Sequence, residues 1–536
     1  MRLVFPDIFK MAGVILETLS NKQLMIFTLV LLGIQIMFFV IGGTLAPHPT
    51  SAMYHTAHAC KDPDRGKAEQ WFVYPEHCDE IQDLSTANVS PEQIVFTVRI
   101  PHKGLDMSRW HQFMVGVISF EIIKDQPRGE HPIVTMDMRL AARDKYDNSW
   151  KKIAKSTEQR EHNCREDEGG FLDCDDMPGF ELGNVHYDNY LVNIRLPSAG
   201  GYNEDFGRLK SLNVVEIHQN GGFTRMWFGL KTALAPILIA AVVWFKKRIN
   251  RLSRKPYLLE TTVFGLGVSI AVLDFPLEWF TLWVNMPFML IISDLRQGIF
   301  YATLLSFWLI FAGEHVMDNT QRNSLKAYKK ELVAIAIGTL SLLIFDLCER
   351  GIQLSNPFHS IWSNESGKKA AMAFLIFAAI CACLYFLFFL LMMLKVFWHI
   401  SGKRSEFSRM AAGRRVAYEG AFYRFKFLLA FTIICAALTI AFFIATNVNE
   451  AHWKFGEKKT VEVSSAFIAG IYGLWNIYVF AVLVLYAPSS QTITAHTAEL
   501  ENVTDEDTSD TQRFITQPVN SETSLIYSIA GKGTIG

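Results

Sequence analysis

Seven charged side chains sit where a charge is expensive. Asp294 and Arg296 open an apolar run from Phe288 to His315; Asp274 and Glu278 lie four residues apart in the run before it; Asp346, Glu349 and Arg350 fall close together in the run after it. A charge at the bilayer centre costs ~2.5–3.5 kcal/mol on insertion scales, so such groups are expected to face protein or water rather than lipid. Two kinds of chemistry are open to them: ion pairing within a helical bundle, or the lining of a hydrated site for a polar ligand. Catalysis is not expected. Asp294 (Ile-Ser-Asp) and Asp346 (Ile-Phe-Asp) lack the Tyr-Asp and Gly-x-Gly-Asp settings of intramembrane aspartyl proteases. His315 lies at the edge of its run, where it does not suit an acyltransferase, and no His/Cys cluster has metal-ligand spacing, so neither a metal nor a cofactor is implied.

The elements that must position these charges are membrane helices. The chain has 536 residues, 50% of them hydrophobic and bunched into long runs, and a run of roughly 20 apolar residues is what a bilayer requires. The runs at 24–45, 226–245, 259–283, 288–314, 332–354, 370–397, 425–447 and 466–487 predict a polytopic α-helical membrane protein of eight spans. The last seven form a block, 226–487, of the kind seen in G-protein-coupled receptors. Basic residues crowd the loops at 246–255, 316–331 and 401–424, which marks that side as cytoplasmic. The N-terminus (1–23) falls on the same side, as does a Ser/Thr-rich, acidic tail (488–536) that is expected to be disordered. At a rise of ~1.5 Å per residue, all seven charges then lie in the luminal half of the bundle, which suggests a water-filled vestibule opening that way. The Phe- and Met-rich stretch Leu384–Trp398 in the inner half suits either an acyl chain or lipid.

Between the first two spans, residues 46–225 are polar and alternate with period two, as in Ile94–Ile100, Phe113–Ile122, Val134–Leu140 and Asn189–Pro197. Short strands broken by Pro, Gly and Asn predict a luminal antiparallel β-sandwich. Cys60, Cys78, Cys164 and Cys174 fall within it and suggest disulfides in an oxidising compartment; of three connectivities, Cys60 with Cys78 and Cys164 with Cys174 is favoured. Cys348, Cys381, Cys383 and Cys435 lie in apolar spans and are expected to be buried packing residues. Asn88 and Asn364 head candidate glycosylation sequons. With a net charge of −1 and no basic stripe, the chain implies no nucleic-acid partner.

The stretches HQNGGFTRMWF (His218 to Phe228), FPLEWF (Phe275 to Phe280), SDLRQGIFYATLLSFWLIFAGEH (Ser293 to His315), FDLCERGIQLSNPFHSIW (Phe345 to Trp362) and SAFIAGIYGLWNIYVFA (Ser465 to Ala481) closely resemble the Wntless family. The likeness runs from about Met11 to Pro488, and residues 1–10 stand outside it. The resemblance implies a cargo receptor for palmitoleoylated Wnt proteins. Such a receptor works among membrane lipids and carries its cargo from the endoplasmic reticulum through the Golgi to the plasma membrane; it returns by way of endosomes with the help of a clathrin adaptor and retromer. The rival reading is a heptahelical signalling receptor with a luminal or extracellular ligand-binding domain. Against it, the block's third helix ends Gly-Glu-His where rhodopsin-like receptors have Asp-Arg-Tyr, and its last helix has no Asn-Pro-x-x-Tyr.

Two features depart from the family. The tail signal by which the vertebrate members return to the endoplasmic reticulum has no counterpart in the ending GKGTIG. The family's tyrosine sorting signal, Tyr-Glu-Gly followed by a bulky apolar residue, is present at Tyr418 but continues with Ala421. A methyl group offers little surface to an adaptor's apolar pocket, so Ala421→Leu should speed uptake from the cell surface. Antibody-feeding assays measure that rate, and unchanged uptake would show that Tyr418 is not the working signal or that Phe422 substitutes.

Overall fold

The computed structural model describes residues 14–62, 73–84, 89–123, 133–162, 164–166, 171–252, 254–314, 323–361, 365–402, 426–445 and 464–488. Asn88, Asn364, Tyr418, His315 and the tail beyond Pro488 lie outside the described residues.

Strands dominate up to Gln219. One sheet contains β1 (Thr50–Thr56), β5 (Met114–Ile123), β8 (Cys164–Glu166), β9 (Phe171–Cys174), β10 (Met177–Leu182) and β12 (Arg208–Gln219), in the order β1-β12-β5-β9-β8 with β10 also on β5. The other contains β2 (His58–Lys61), β3 (Asp79–Glu80), β4 (Ile94–Ile100), β6 (Ile133–Arg143), β7 (Lys151–Glu161) and β11 (Asn189–Arg195), in the order β3-β2-β4-β11-β6-β7. All pairings are antiparallel. The period-two pattern places Ile118, Phe120 and Ile122 of β5 in one core with Met136, Met138 and Leu140 of β6. β11 departs from alternation and is buried along nearly its whole length. The reason is Asn193, whose side chain bonds both the N–H and the carbonyl of Val73 (2.9 and 3.0 Å) and so clips a segment over the sheet's outer face. Disulfides join Cys60 to Cys78 and Cys164 to Cys174.

Eight described helices are long and apolar enough to cross a membrane. α1 (Asn21–Val40) is opened by a capping box between Ser20 and Gln23 and runs into a π-helical turn, Ile41–Leu45. α2 (Gly221–Ile249) starts ahead of the apolar run at 226, because the Asn220 side chain accepts from the N–H groups of Gly222 (2.8 Å) and Phe223 (3.4 Å). The β-domain therefore passes into the bundle with one residue between strand and helix. The expected span from 259 to 283 is not one helix. Pro276 cannot donate a backbone hydrogen bond, and the residue before it, Phe275, is extended (φ −60°, ψ 119°), so α3 (Leu258–Asp274) stops and a 3-10 turn, Leu277–Leu282, follows. Asp274 and Glu278 accordingly do not share a helix face. The remaining helices are α4 (Met289–Glu314), α5 (Lys329–Gln353), α6 (Glu365–Gly402), α7 (Lys426–Ala445) and α8 (Ser465–Tyr486).

α8 is the mast of the bundle, enclosed by α1, α2, α3, α4 and α7. Indole and phenol groups tie it sideways: Trp475 Nε1 donates to Thr439 of α7 (2.9 Å), and Trp308 Nε1 of α4 donates to Tyr478 (3.1 Å), which donates to Thr432 of α7 (3.1 Å). On its other side Gly470 and Gly473 leave room for Phe39 and Phe38 of α1. Ahead of α1, Leu16 is fully buried and Val14 bridges to Pro488 just past α8. α5 and α6 stand at the periphery. Leu384, Leu387, Phe388, Leu391, Phe397 and Trp398 point outward from the stretch Leu384–Trp398, whereas Phe389, Met393 and Val396 join the bundle core. Cys435 is buried as expected, but Cys348, Cys381 and Cys383 are exposed on α5 and α6, which present wide faces to lipid.

A Cβ at Gly473 would stand 2.3 Å from Phe38 Cγ, and that atom is too near its own backbone to swing aside. Gly473→Ala should cost ~1–3 kcal/mol through overpacking. Thermal unfolding in detergent would register the loss, and Gly33→Ala, whose Cβ meets nothing within 4 Å, should not show it.

Candidate functional site

The buried charges meet at the end of the bundle that carries the β-domain, in two groups. The inner group forms around Glu278, which the 3-10 turn after α3 points into the bundle. Its carboxylate accepts from Lys231 Nζ of α2 at 2.6 Å and from the guanidinium of Arg296 on α4. Arg296 also donates to the Phe275 carbonyl (2.6 Å), one of the acceptors freed where α3 ends. Asp274 is wholly buried and accepts from Tyr472 Oη of α8 at 2.5 Å. Two acids and two bases thus meet across α2, α3, α4 and α8. Among the described residues, Asp274 Oδ2 and Glu278 Oε2 have no protein donor, so the cluster keeps acceptor capacity.

The outer group joins the bundle to the β-domain. Arg350, near the end of α5, pairs with Asp294 of α4 at 2.8 Å and donates to Glu181 of β10 at 3.2 Å; Gln353 donates to the same carboxylate at 3.0 Å. Just beyond α5 the chain plugs into the sandwich. Phe358 enters the β-domain core, and its carbonyl accepts from the buried Arg160 of β7 at 2.5 Å. Asp294 and Arg296 part company here because two residues on a helix are about 200° apart: one looks to the rim, the other into the bundle. Glu349 is buried on α5 and Asp346 is exposed on it. The seven charges therefore do not line a single vestibule. Asp274, Glu278 and Arg296 are taken up in internal pairing, and Asp294 and Arg350 form a partly open rim.

Beside that rim is a cavity of about 450 Å³. Its lining is mixed: the β-domain contributes Lys151, Lys152 and Glu181 with Ile153 and Leu182, and the bundle contributes Leu290, Ile291 and Leu354 with Arg350 and Gln353. Burial pushes the Tyr190 phenol up to about 12, and burial with Arg109 nearby holds His186 below its ordinary range, so both lining groups are neutral at pH 7. Elsewhere His162, Cys164 and Cys174 bring ligand atoms within 4.8 Å of one another, but both sulfurs are in a disulfide and offer no thiolate to a metal.

Several of these residues were not singled out in the sequence. Lys231 had a signal, since it is a base within an apolar run, and the rule that picked out Asp274 applies to it equally. Glu181, Tyr472 and Phe358 had none, because an acid in a strand, a tyrosine in a helix and a phenylalanine in a short loop are unremarkable until packed.

A family model described as Wntless, GOLD domain matches residues 58–219, and one described as Wntless-like, transmembrane domain matches residues 220–490. The chain is 46% identical over 497 residues to Protein wntless homolog of Homo sapiens, covering 89% of this chain and 92% of the relative. It is 45% identical over 496 residues to Protein wntless homolog of Gallus gallus, with 89% and 92% covered. To Protein wntless of Drosophila virilis it is 42% identical over 507 residues, with 89% and 90% covered.

The two charge groups should respond differently to loss of an arginine. Arg296 is 4% exposed, so Arg296→Gln strips a buried carboxylate of one partner and should cost ~3–5 kcal/mol. Arg350 is partly solvated, and Arg350→Gln should cost ~0–1 kcal/mol. Thermal unfolding of the two purified variants checks the contrast; equal losses would show that both pairs are structural.

Proposed function

Because the chain belongs to the Wntless family, we propose that it acts in Wnt secretion, as a non-catalytic receptor that binds palmitoleoylated Wnt proteins in the lumen and carries them to the cell surface. The observation that carries this reading is the cavity of mixed polar and apolar lining between the β-domain and the bundle. A lipidated protein presents a polar peptide and an apolar chain a few ångströms apart, and a carrier must receive both at once. Lys151, Lys152, Glu181 and Arg350 offer charges to the peptide, and Leu290, Ile291 and Leu354 offer apolar surface to the start of the chain. Each methylene buried gains ~0.8 kcal/mol, so about six would contribute roughly 5 kcal/mol.

The reading includes both termini in the cytoplasm, for which the loop charge is the support. It also includes passage through the endoplasmic reticulum, Golgi, plasma membrane and endosomes, with an adaptor and retromer on the return. The β-domain and the cavity then face the compartment in which secreted cargo folds.

Co-purification tests the proposal. The chain should retain an acylated Wnt and lose one whose acyl-bearing serine is replaced by alanine, and Arg350→Gln with Ile291→Asn should retain less acylated cargo while staying folded. Equal recovery of acylated and unacylated Wnt would overturn the assignment of an acyl-dependent carrier.

A further inference from the structure

The inward-facing positions of β12 run Leu212, Val214, Glu216, His218. The first two are ordinary core residues, but the last two are buried at the end of the sandwich next to the bundle. A carboxylate removed from water needs donors, and here they are imidazoles. His218 hydrogen-bonds one oxygen of Glu216, and His55 of β1 lies 3.7 Å from the other. Each of these rings is covered by another imidazole from the 101–113 loop between β4 and β5. His102 lies over His55 and His111 over His218, in both cases with ring centroids 4.2 Å apart.

On either side of His111 the same loop grips the bundle. Arg109 Nη1 donates to the Leu282 carbonyl (3.1 Å), and Thr281 Oγ1 donates to Gln112 (2.8 Å). Trp110 packs on Trp279 and Phe228, with centroids 5.8 Å away in each case, beneath the Arg225 guanidinium. We propose that the 101–113 loop is a proton-sensitive latch: neutral His111, packed on His218, holds it on the sandwich, and the β-domain with it on the bundle, and protonation of that ring releases it.

Charge balance decides the direction. Burial pushes the Glu216 carboxyl up, but the imidazoles of His218 and His55 more than reverse this and leave it below the ordinary carboxylate range, so it is ionised at pH 5. A first proton taken up by an imidazole beside Glu216 forms an ion pair and leaves the cluster neutral. A second must sit on a ring in contact with the first imidazolium or be buried beside it. His111 shows the penalty, held down to about 4 by burial and then by His218, with Glu216 opposing. The titratable and charged groups facing the latch are His55, Glu216 and His218 from the sheet, Arg225 from α2, Lys145, which pairs with Asp106 of the loop, and His186 and Asp188, whose carbonyls accept from Arg109 and Met107. The cross-strand neighbours Ser51, Met53, Met114 and Gly116 carry no charge.

A free loop histidine titrates near 6.5, so between that pH and about 4 the released loop binds more protons than the docked one. Docking is thus unaffected above pH 7 and weakens as pH falls below 6.5. Allowing for the partial exposure of His111, the loss by pH 5 is roughly tenfold.

The test is hydrogen–deuterium exchange on the full-length protein in nanodiscs at pH 7.4 and pH 5.0, corrected for the intrinsic pH dependence of exchange. Peptides covering 101–113 should lose about tenfold protection at pH 5.0 while β6 keeps its own. The variant His111→Phe, which keeps a ring against His218 but cannot take the proton, should show a flat profile. The latch is refuted if the wild-type loop is equally protected at both pH values, if the His111→Phe variant loosens as much as the wild type, or if β6 loosens in step, which would mean general acid unfolding.

Discussion

A charge inside a membrane-spanning bundle has to find its opposite, and much of this molecule is arranged around one place where that happens. Glu278 reaches Lys231 and Arg296 because Pro276 interrupts the helix that would have carried it to another face. The interruption also frees carbonyls at the end of α3, and Arg296 takes one of them. A helix break and an ion cluster, each unfavourable alone, satisfy each other. Their joint effect is to fix α2, α3 and α4 at the end where the β-domain sits, with Asp274 and Tyr472 adding α8.

The β-domain is fastened to this platform along two seams of different chemistry. One is permanent in character: Phe358 is buried in the sandwich core, its carbonyl held by Arg160, and the Glu181, Arg350 and Asp294 chain runs alongside. The other is the 101–113 loop, which grips the rim through aromatic and polar contacts and packs its imidazoles on those of the sheet. Beside them lies the cavity, to which the sheet and the helix ends each contribute both polar and apolar groups.

Local rules fail most visibly at these same places. Inward strand positions should be apolar, yet β12 has Glu216 and His218 there; an apolar run should lack bases, yet α2 has Lys231. Each violation is compensated by a partner from a distant part of the chain. Sites where a sequence departs from its own pattern are where function is to be sought, and here they cluster at the junction of the two domains.

The sequence by itself determined the number of spans, the β-domain between the first and second, the strands with clean alternation such as β5 and β6, the disulfide partners it favoured, and the identity of the costly charges. Those features are legible because they depend on periodicity, run length and residue type, which are properties of neighbours in the chain. Only the tertiary structure decided which charges pair and which line a rim. Asp294 and Arg296 are two residues apart yet have different fates, and Glu278 finds Lys231 across 47 residues of sequence. Long-range pairing depends on where helices stop and how they turn. One proline redirected a whole side of the cluster, and the partners that complete the two groups, Tyr472 and Glu181, carry no mark in the sequence until packing brings them together.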